Sequence, residues 1–395
     1  MKKKIIITKY KDILLSVRID ADGRTDGISA QSDEKKSIIG NIYAGNIRNV
    51  AKEINGIFVE IVPGEMGFLR IKKNERPVFL NARRDDGPPR QGDIILVQAK
   101  ADTVKTKEVL LSCDISVPSE YAILVRDNEP VRISSKLRGR INADDIQRIC
   151  DVMPPKGCGF IIRTNAAGAA YEDIARSMSN CTDIWNDILK KGKERKQGLL
   201  YSAPECFIDD ICDMPLSEDW EAVTDDTECF LKARAFFEKN CPGELWRLRM
   251  YRDLTAPLKT VYAIEDRLHE VLDKKVYLRS GGYLVIEPTE ALTVIDVNSG
   301  KGSSASNKDE FAFQTNIEAA VESARQIRLR NLSGIVIIDF ISMSSKDYED
   351  KLLAFMKKEL QKDELGPKAH DITPLGLMEI TRKKERRPLY EIVGL

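Results

Sequence analysis

The chain has 395 residues, 42% hydrophobic and 31% charged, a globular composition too long for one ordinary core. Basic and acidic residues balance at 62 each, so bulk charge does not advertise a nucleic-acid partner. No apolar run approaches bilayer length, and Ile5-Ile6-Ile7 after Met1-Lys2-Lys3-Lys4 is too short for a signal peptide and reads as a first strand, which sets the expectation of a cytoplasmic protein without a membrane span.

The eight cysteines contain no Cys-x-x-Cys pair and no cluster with zinc-ligand spacing, so they read as scattered reduced thiols rather than a disulfide or zinc framework. His269 and His370, the only histidines, sit near no candidate nucleophile in sequence. Chemistry built on histidine is therefore a poor fit, and carboxylates become the candidates. Acidic residues gather over 209–228, and basic ones at Arg247, Arg249 and Arg252, at Arg325, Arg328 and Arg330, and over 382–387. Each group taken alone reads as a solvated face.

In chain order, residues 38–118 look all-β. About five short alternating runs broken by glycines suit a small barrel such as the OB-fold. Phe58 and Phe68 fall in these runs, on strands separated by Gly64 and Gly67; composition alone would place both rings in a core, whereas exposed rings on a barrel would stack on bases. Residues 119–205 mix helix and strand. Gly159-Phe160-Ile161-Ile162 reads as a strand ending in Arg163-Thr164, with a turn and then a helix from about Ala169. An arginine and a hydroxyl at a helix start can bind an anion, although as a bare pattern this is an ordinary surface arrangement. Residues 206–275 are mixed and carry no strong motif.

The clearest pattern spans 284–343. Leu284-Val285-Ile286 and Leu292-Thr293-Val294-Ile295-Asp296-Val297 read as strands. Thr315-Asn316-Ile317-Glu318 has the form of a capping box, and Ile317, Ala320, Val321, Ala324 and Ile327 follow at the spacing of one helical face. Ile335-Val336-Ile337-Ile338-Asp339-Phe340 then reads as a strand buried on both faces. Strand, helix, strand predicts a right-handed crossover between parallel strands. Asp296 and Asp339 interrupt two apolar strands at equivalent points, where an unpaired carboxylate would cost several kcal/mol. Alternation places Asn298 on the face of Asp296. Two carboxylates and an amide make an oxygen-rich site suited to magnesium. Such an ion can activate water and stabilise a phosphoryl transition state. The alternative for either aspartate alone is a helix or turn cap.

The stretch over 288–343 closely resembles the catalytic domain of the ribonuclease E/G family. The residues that carry the resemblance are Glu290-Ala291-Leu292-Thr293-Val294-Ile295-Asp296-Val297-Asn298-Ser299, Phe313-Gln314-Thr315-Asn316-Ile317-Glu318-Ala319-Ala320, Arg325-Gln326-Ile327-Arg328-Leu329-Arg330 and Ile338-Asp339-Phe340-Ile341-Ser342-Met343. It extends more weakly over nearly the whole chain. The resemblance implies an α/β (α+β multidomain) protein with a ribonuclease-H-like domain over 1–37 and 206–275, an inserted OB-fold over 38–118, a 5′-sensor over 119–205 and a DNase-I-like catalytic domain over 276–395. It also implies a magnesium-dependent endoribonuclease that cuts single-stranded RNA in RNA processing and mRNA decay and leaves 5′-phosphate and 3′-hydroxyl ends. Asp296 and Asp339 match the family's magnesium ligands, and Asn298 matches the residue that steadies one of them. Phe58, Phe68 and Lys107 match RNA-contact positions. Arg163 and Thr164 match the pocket for a 5′-monophosphate. The long members carry a Cys-Pro-x-Cys zinc link and a small domain beyond the catalytic one. No cysteine follows Cys241 here, so no zinc and a monomer or weak dimer are expected. Two alternatives stay open: a non-catalytic RNA-binding protein using the barrel alone, and a magnesium-dependent phosphodiesterase acting on DNA.

Overall fold

A computed structural model describes residues 2–32, 37–70, 77–82, 87–101, 108–126, 129–133, 137, 139–195, 197–253, 255–300, 308–363, 365–384 and 386–394. The fold is mixed α/β and divides into two compact units, Met1–Arg24 with Gln31–Asp253, and Thr25–Ala30 with Leu254–Leu395.

The first unit begins with β1 (Lys3–Tyr10) and β2 (Ile13–Ile19), an antiparallel hairpin built on the β-branched run anticipated at Ile5-Ile6-Ile7. β3 (Thr25–Ser32) holds the residues where the chain leaves and re-enters this unit. A closed barrel follows. Its strands are β4 (Ile42–Ala51), β5 (Gly56–Val62), β6 (Glu65–Arg70), β8 (Ile94–Ala101) and β9 (Val109–Ser112), with β7 (Val78–Phe79) added at the edge of β8. The order is β4-β5-β6-β9-β8, and pairing of β8 back onto β4 closes the ring. β6 and β9 run parallel; the other barrel pairs are antiparallel. The interior is filled by Ile57, Val59, Ile61, Leu69 and Val97, all at most 2% exposed. Gly64, with φ +85°, makes the turn between β5 and β6. Gly67 is not a turn residue: it lies within β6, where a Cβ would strike the Leu111 side chain at 2.5 Å, so close strand packing accounts for it.

Beyond the barrel, β10 (Ser116–Pro118), β11 (Ala122–Val125), β12 (Val131–Ile133) and β13 (Gly159–Ile162) form a second sheet in the order β10-β11-β13-β12. α1 (Ala143–Cys150) starts at an Asn142 cap, and α2 (Tyr171–Glu194) buries Ile174, Met178, Cys181 and Trp185 in the core this sheet shares. β14 (Gly198–Tyr201) returns to pair with β4. α3 (Cys206–Asp213), β15 (Trp220–Thr224), α4 (Thr227–Asn240) and β16 (Leu248–Met250) complete the unit. β15 lies between β16 and β1, parallel to both, so strands distant in sequence share one sheet. Trp220 and Phe237, fully buried with ring centroids 6.3 Å apart, anchor α4 on it.

The second unit opens with two short helices, α5 (Leu258–Val261) and α6 (Ile264–Leu272). Its sheet comprises β17 (Lys275–Tyr277), β18 (Tyr283–Pro288), β19 (Leu292–Asn298), β20 (Gly334–Asp339), β21 (Lys368–Ile372) and β22 (Leu377–Arg382), in the order β17-β18-β19-β20-β22-β21. β19 and β20 are parallel, as the crossover pattern predicts, and α7 (Lys308–Leu329) joins them. With α8 (Lys346–Leu360), α7 packs on one face of the sheet over Ile295, Val297, Val336 and Ile338. α9 (Leu389–Val393) lies near the end of the chain.

Three sequence expectations change here. Thr315 caps nothing, because α7 begins at Lys308 and Thr315 is a buried mid-helix residue whose hydroxyl donates to the Phe311 carbonyl at 3.0 Å. The apolar face holds for Ala320, Ala324 and Ile327 but not for Val321, which is 41% exposed. β20 is covered on one face only: Val336, Ile338 and Phe340 are buried, while Ile335 is 47% exposed on the other side. An apolar run does not report how many layers cover it, and the second layer is absent among the described residues of this unit.

Candidate functional site: a carboxylate pair on an open sheet face

Alternation on β19 sends Thr293, Ile295 and Val297 into the core and leaves Val294, Asp296 and Asn298 on the opposite face. On β20 the same alternation buries Val336 and Ile338 and turns out Ile335, Ile337 and Asp339. The parallel register pairs Asp296 directly with Asp339, which places the two carboxylates on one surface about one strand spacing (roughly 4.8 Å) apart at the strand ends. Both are exposed. This corrects the desolvation argument made from sequence: neither carboxylate is forced into a dry interior, so burial does not require a cation to offset it. The case for a site rests instead on register, which brings two distant acids side by side on an uncovered face.

Asn298 donates from its side-chain amide to one Asp296 oxygen at 2.7 Å. That bond fixes the carboxylate rotamer and leaves the other oxygen available. Among the described residues no three His, Cys, Asp or Glu side chains converge as a metal-binding group, so this is a two-carboxylate set with a supporting amide. Hard oxygen donors open to solvent suit magnesium, which commonly keeps several waters and takes one or two protein carboxylates.

Sequence reasoning missed two residues that hold this surface in place. Asn316 on α7 is fully buried; its amide donates to the Ile341 carbonyl at 2.8 Å, and its oxygen accepts from the Ile341 backbone at 3.0 Å. This two-way clamp fixes the segment that leaves β20 just after Asp339. Glu318 accepts from the backbone N–H groups of Arg279 and Ser280 and so holds the turn between β17 and β18. Both lie in the four residues read as a capping box. For Asn316 the available signal was a polar residue bordering the helix face of Ile327; Glu318 lay outside that face and gave none.

In the barrel, Phe58 and Phe68 stand opposite one another on β5 and β6. They are half-buried, edge to face, with centroids 5.5 Å apart. Their neighbours Ile57, Val59 and Leu69 point inward, so the two rings form a pair on the outer surface rather than part of the core. The Phe68 ring lies against Gly56, where a Cβ would come within 2.3 Å of it. Lys107 lies outside the described residues.

Arg163 follows β13 and Thr164 opens a short 3-10 turn. Thr164 is exposed. The Arg163 side chain is only 17% exposed, pairs with Asp213, and reaches the Ser119 carbonyl at 3.4 Å. The guanidinium is therefore already engaged, which the bare pattern could not show.

The sequence profile of the Ribonuclease E/G family matches residues 116–385. Ribonuclease G of Haemophilus influenzae is 31% identical over 383 residues, covering 93% of this chain and 76% of its own length. Ribonuclease G of Salmonella typhimurium is 30% identical, covering 93% and 77%. Ribonuclease E of a Nostoc species is 31% identical over 369 residues, covering 90% of this chain and 52% of its own length. The chain belongs to the ribonuclease E/G family. The profile takes in Arg163, Thr164, Asp296, Asn298 and Asp339 of this family member, whereas Phe58 and Phe68 precede it.

Proposed function

We propose that this ribonuclease E/G family member is a magnesium-dependent enzyme cutting single-stranded RNA at the surface defined by Asp296 and Asp339. Membership of the family makes it an endoribonuclease, a hydrolase acting on RNA. The observation that carries the finer reading is the Asp296–Asp339 register on an exposed face, with the Asn298 amide on Asp296. Asp296 and Asp339 would hold the ion, which when bound supplies charge neutralisation at the scissile phosphate and a more acidic water. Asn298 keeps one Asp296 oxygen occupied and the other directed outward. Asn316 keeps the segment after Asp339 from shifting. The expected products carry 5′-phosphate and 3′-hydroxyl ends, as in RNA processing and mRNA decay.

The rest of the reading assigns the barrel, whose order and parallel β6–β9 pair suit an OB-fold, to holding unpaired RNA through Phe58 and Phe68. Arg163 and Thr164 would favour a 5′-monophosphate, and binding there would require the guanidinium to share or exchange its Asp213 partner. The four-part domain organisation, a ribonuclease-H-like domain with inserted OB-fold and 5′-sensor ahead of a DNase-I-like domain, belongs to this proposal. The sheet joining β1 to β15 favours a first domain assembled from separated segments. No helix among the described residues is long and apolar enough to cross a membrane. A cytoplasmic location belongs to this proposal.

The test is substitution of either acid. Asp296→Asn and Asp339→Asn should each abolish cleavage of a single-stranded RNA oligomer while leaving RNA binding and the melting temperature near wild type. Both positions are exposed, so folding does not depend on them. Near-normal cleavage by either variant in saturating magnesium would reject the assignment, and equal cleavage of a matched DNA oligomer would reject RNA as the substrate.

A further inference from the structure

The open face that carries the carboxylate pair continues across β18 to the edge strand β17. Tyr283 is the cross-strand partner of Asn298, and Val285 that of Asp296. Tyr277 is in turn the partner of Tyr283, and Lys275 that of Val285. Directly opposed residues share a face, so Tyr283, Tyr277 and Lys275 lie on the same surface as Asp296 and Asn298. They sit one and two strand spacings away, or roughly 5 and 10 Å.

The two rings have centroids 6.3 Å apart and are tilted by 57°. The Lys275 ammonium lies 3.7 Å from the Tyr283 ring centroid and 4.9 Å from that of Tyr277, within cation–π range of both. Tyr277 is 72% exposed, the largest exposure of any aromatic side chain noted among the described residues. A lone exposed ring means little. Here two rings and a cation are gathered on one face beside the candidate catalytic carboxylates. Stacking on such rings is tolerant of sequence, and the ammonium complements a phosphate backbone.

We propose that Tyr277, Tyr283 and Lys275 form a stacking subsite that grips one or two unpaired bases of the RNA next to the scissile phosphate, with Lys275 facing the backbone. The subsite rests on the reading of Asp296 and Asp339 as the cleavage site for its place in the reaction, but not for its ability to bind. It acts on substrate alignment, separately from the barrel rings. Neither tyrosine fell within the motifs legible in sequence, because nothing local relates Tyr277 to Asp296; only the strand register does.

The test uses the full chain and a single-stranded RNA decamer carrying 2-aminopurine at successive positions, in EDTA so that no cleavage occurs. Wild type should quench the probe at one or two positions flanking the cleavage site. Tyr277→Leu and Tyr283→Leu, which keep apolar bulk without a π face, should each lose that quench and bind roughly 5- to 150-fold more weakly. Tyr277→Phe and Tyr283→Phe should retain both. In magnesium, the leucine variants should raise KM far more than they lower kcat. If a leucine variant fails to fold, wild type is titrated with RNA made abasic at the quenched position, and a matching loss of affinity is expected. Folded leucine variants that quench and bind like wild type, or an abasic RNA bound as tightly as the intact one, would overturn the subsite and leave the tyrosines as edge-strand packing. Normal cleavage by Asp296→Asn with the quench intact would instead reject the catalytic reading and spare the subsite.

Discussion

Removing the Asn298 amide tests the carboxylate pair without deleting a candidate ligand. In the native structure this amide donates to Asp296 at 2.7 Å. A hydrogen bond to a charged acceptor contributes about 1.5–3 kcal/mol. Asn298 is half-exposed, so water competes for the same oxygen and the lower half of that range applies. At about 1.4 kcal/mol per tenfold, the loss corresponds to a roughly ten- to fortyfold weaker hold on the ion. That falls within the 10- to 100-fold usual for a residue that orients a metal-binding side chain. Asn298→Ala should therefore raise the magnesium concentration giving half-maximal cleavage by at least about tenfold, with much of the rate recovered at saturation. Its melting temperature should scarcely change, because little apolar contact is lost. The assay is the initial rate of RNA cleavage over a magnesium series, with melting followed on the same preparation. An unchanged magnesium midpoint with an unchanged rate would refute the reasoning, since it would mean that Asp296 needs no orienting partner or holds no ion.

Two further outcomes follow from the first unit. Phe58→Ala and Phe68→Ala should each weaken single-stranded RNA binding by about 1–3 kcal/mol, because the rings lie outside the barrel core. A loss of thermal stability with unaltered affinity in either variant would return the pair to a packing role. Cleavage should be faster on RNA with a 5′-monophosphate than with a 5′-hydroxyl. Arg163→Ala should erase that preference and Asp213→Asn should enlarge it, because Asp213 competes for the guanidinium. A wild type indifferent to the 5′ end would refute both.

Some of this was legible in residues alone. Alternating β-branched runs with glycine turns announced the barrel, and two apolar strands each carrying an aspartate near its end announced the crossover pair; the structure shows the parallel register that sets Asp296 beside Asp339. Periodicity carries this information because a strand has only two faces and a helix joining parallel strands has one favoured hand. Local pattern misled where the outcome depended on what lies across the fold. Thr315-Asn316-Ile317-Glu318 has the residues of a helix start, but α7 begins a full turn and more upstream, and tertiary contacts recruit Asn316 and Glu318 to clamp loops instead. Ile335 reads as core but has no covering layer among the described residues, and Arg163 reads as open but meets Asp213. The sequence by itself determined which residues alternate along each strand, because alternation depends on neighbours only a position or two away. Only the tertiary structure decided which face of the sheet stays open and that Tyr277, Tyr283 and Lys275 share it with the carboxylates, because strand register relates side chains that no local period connects.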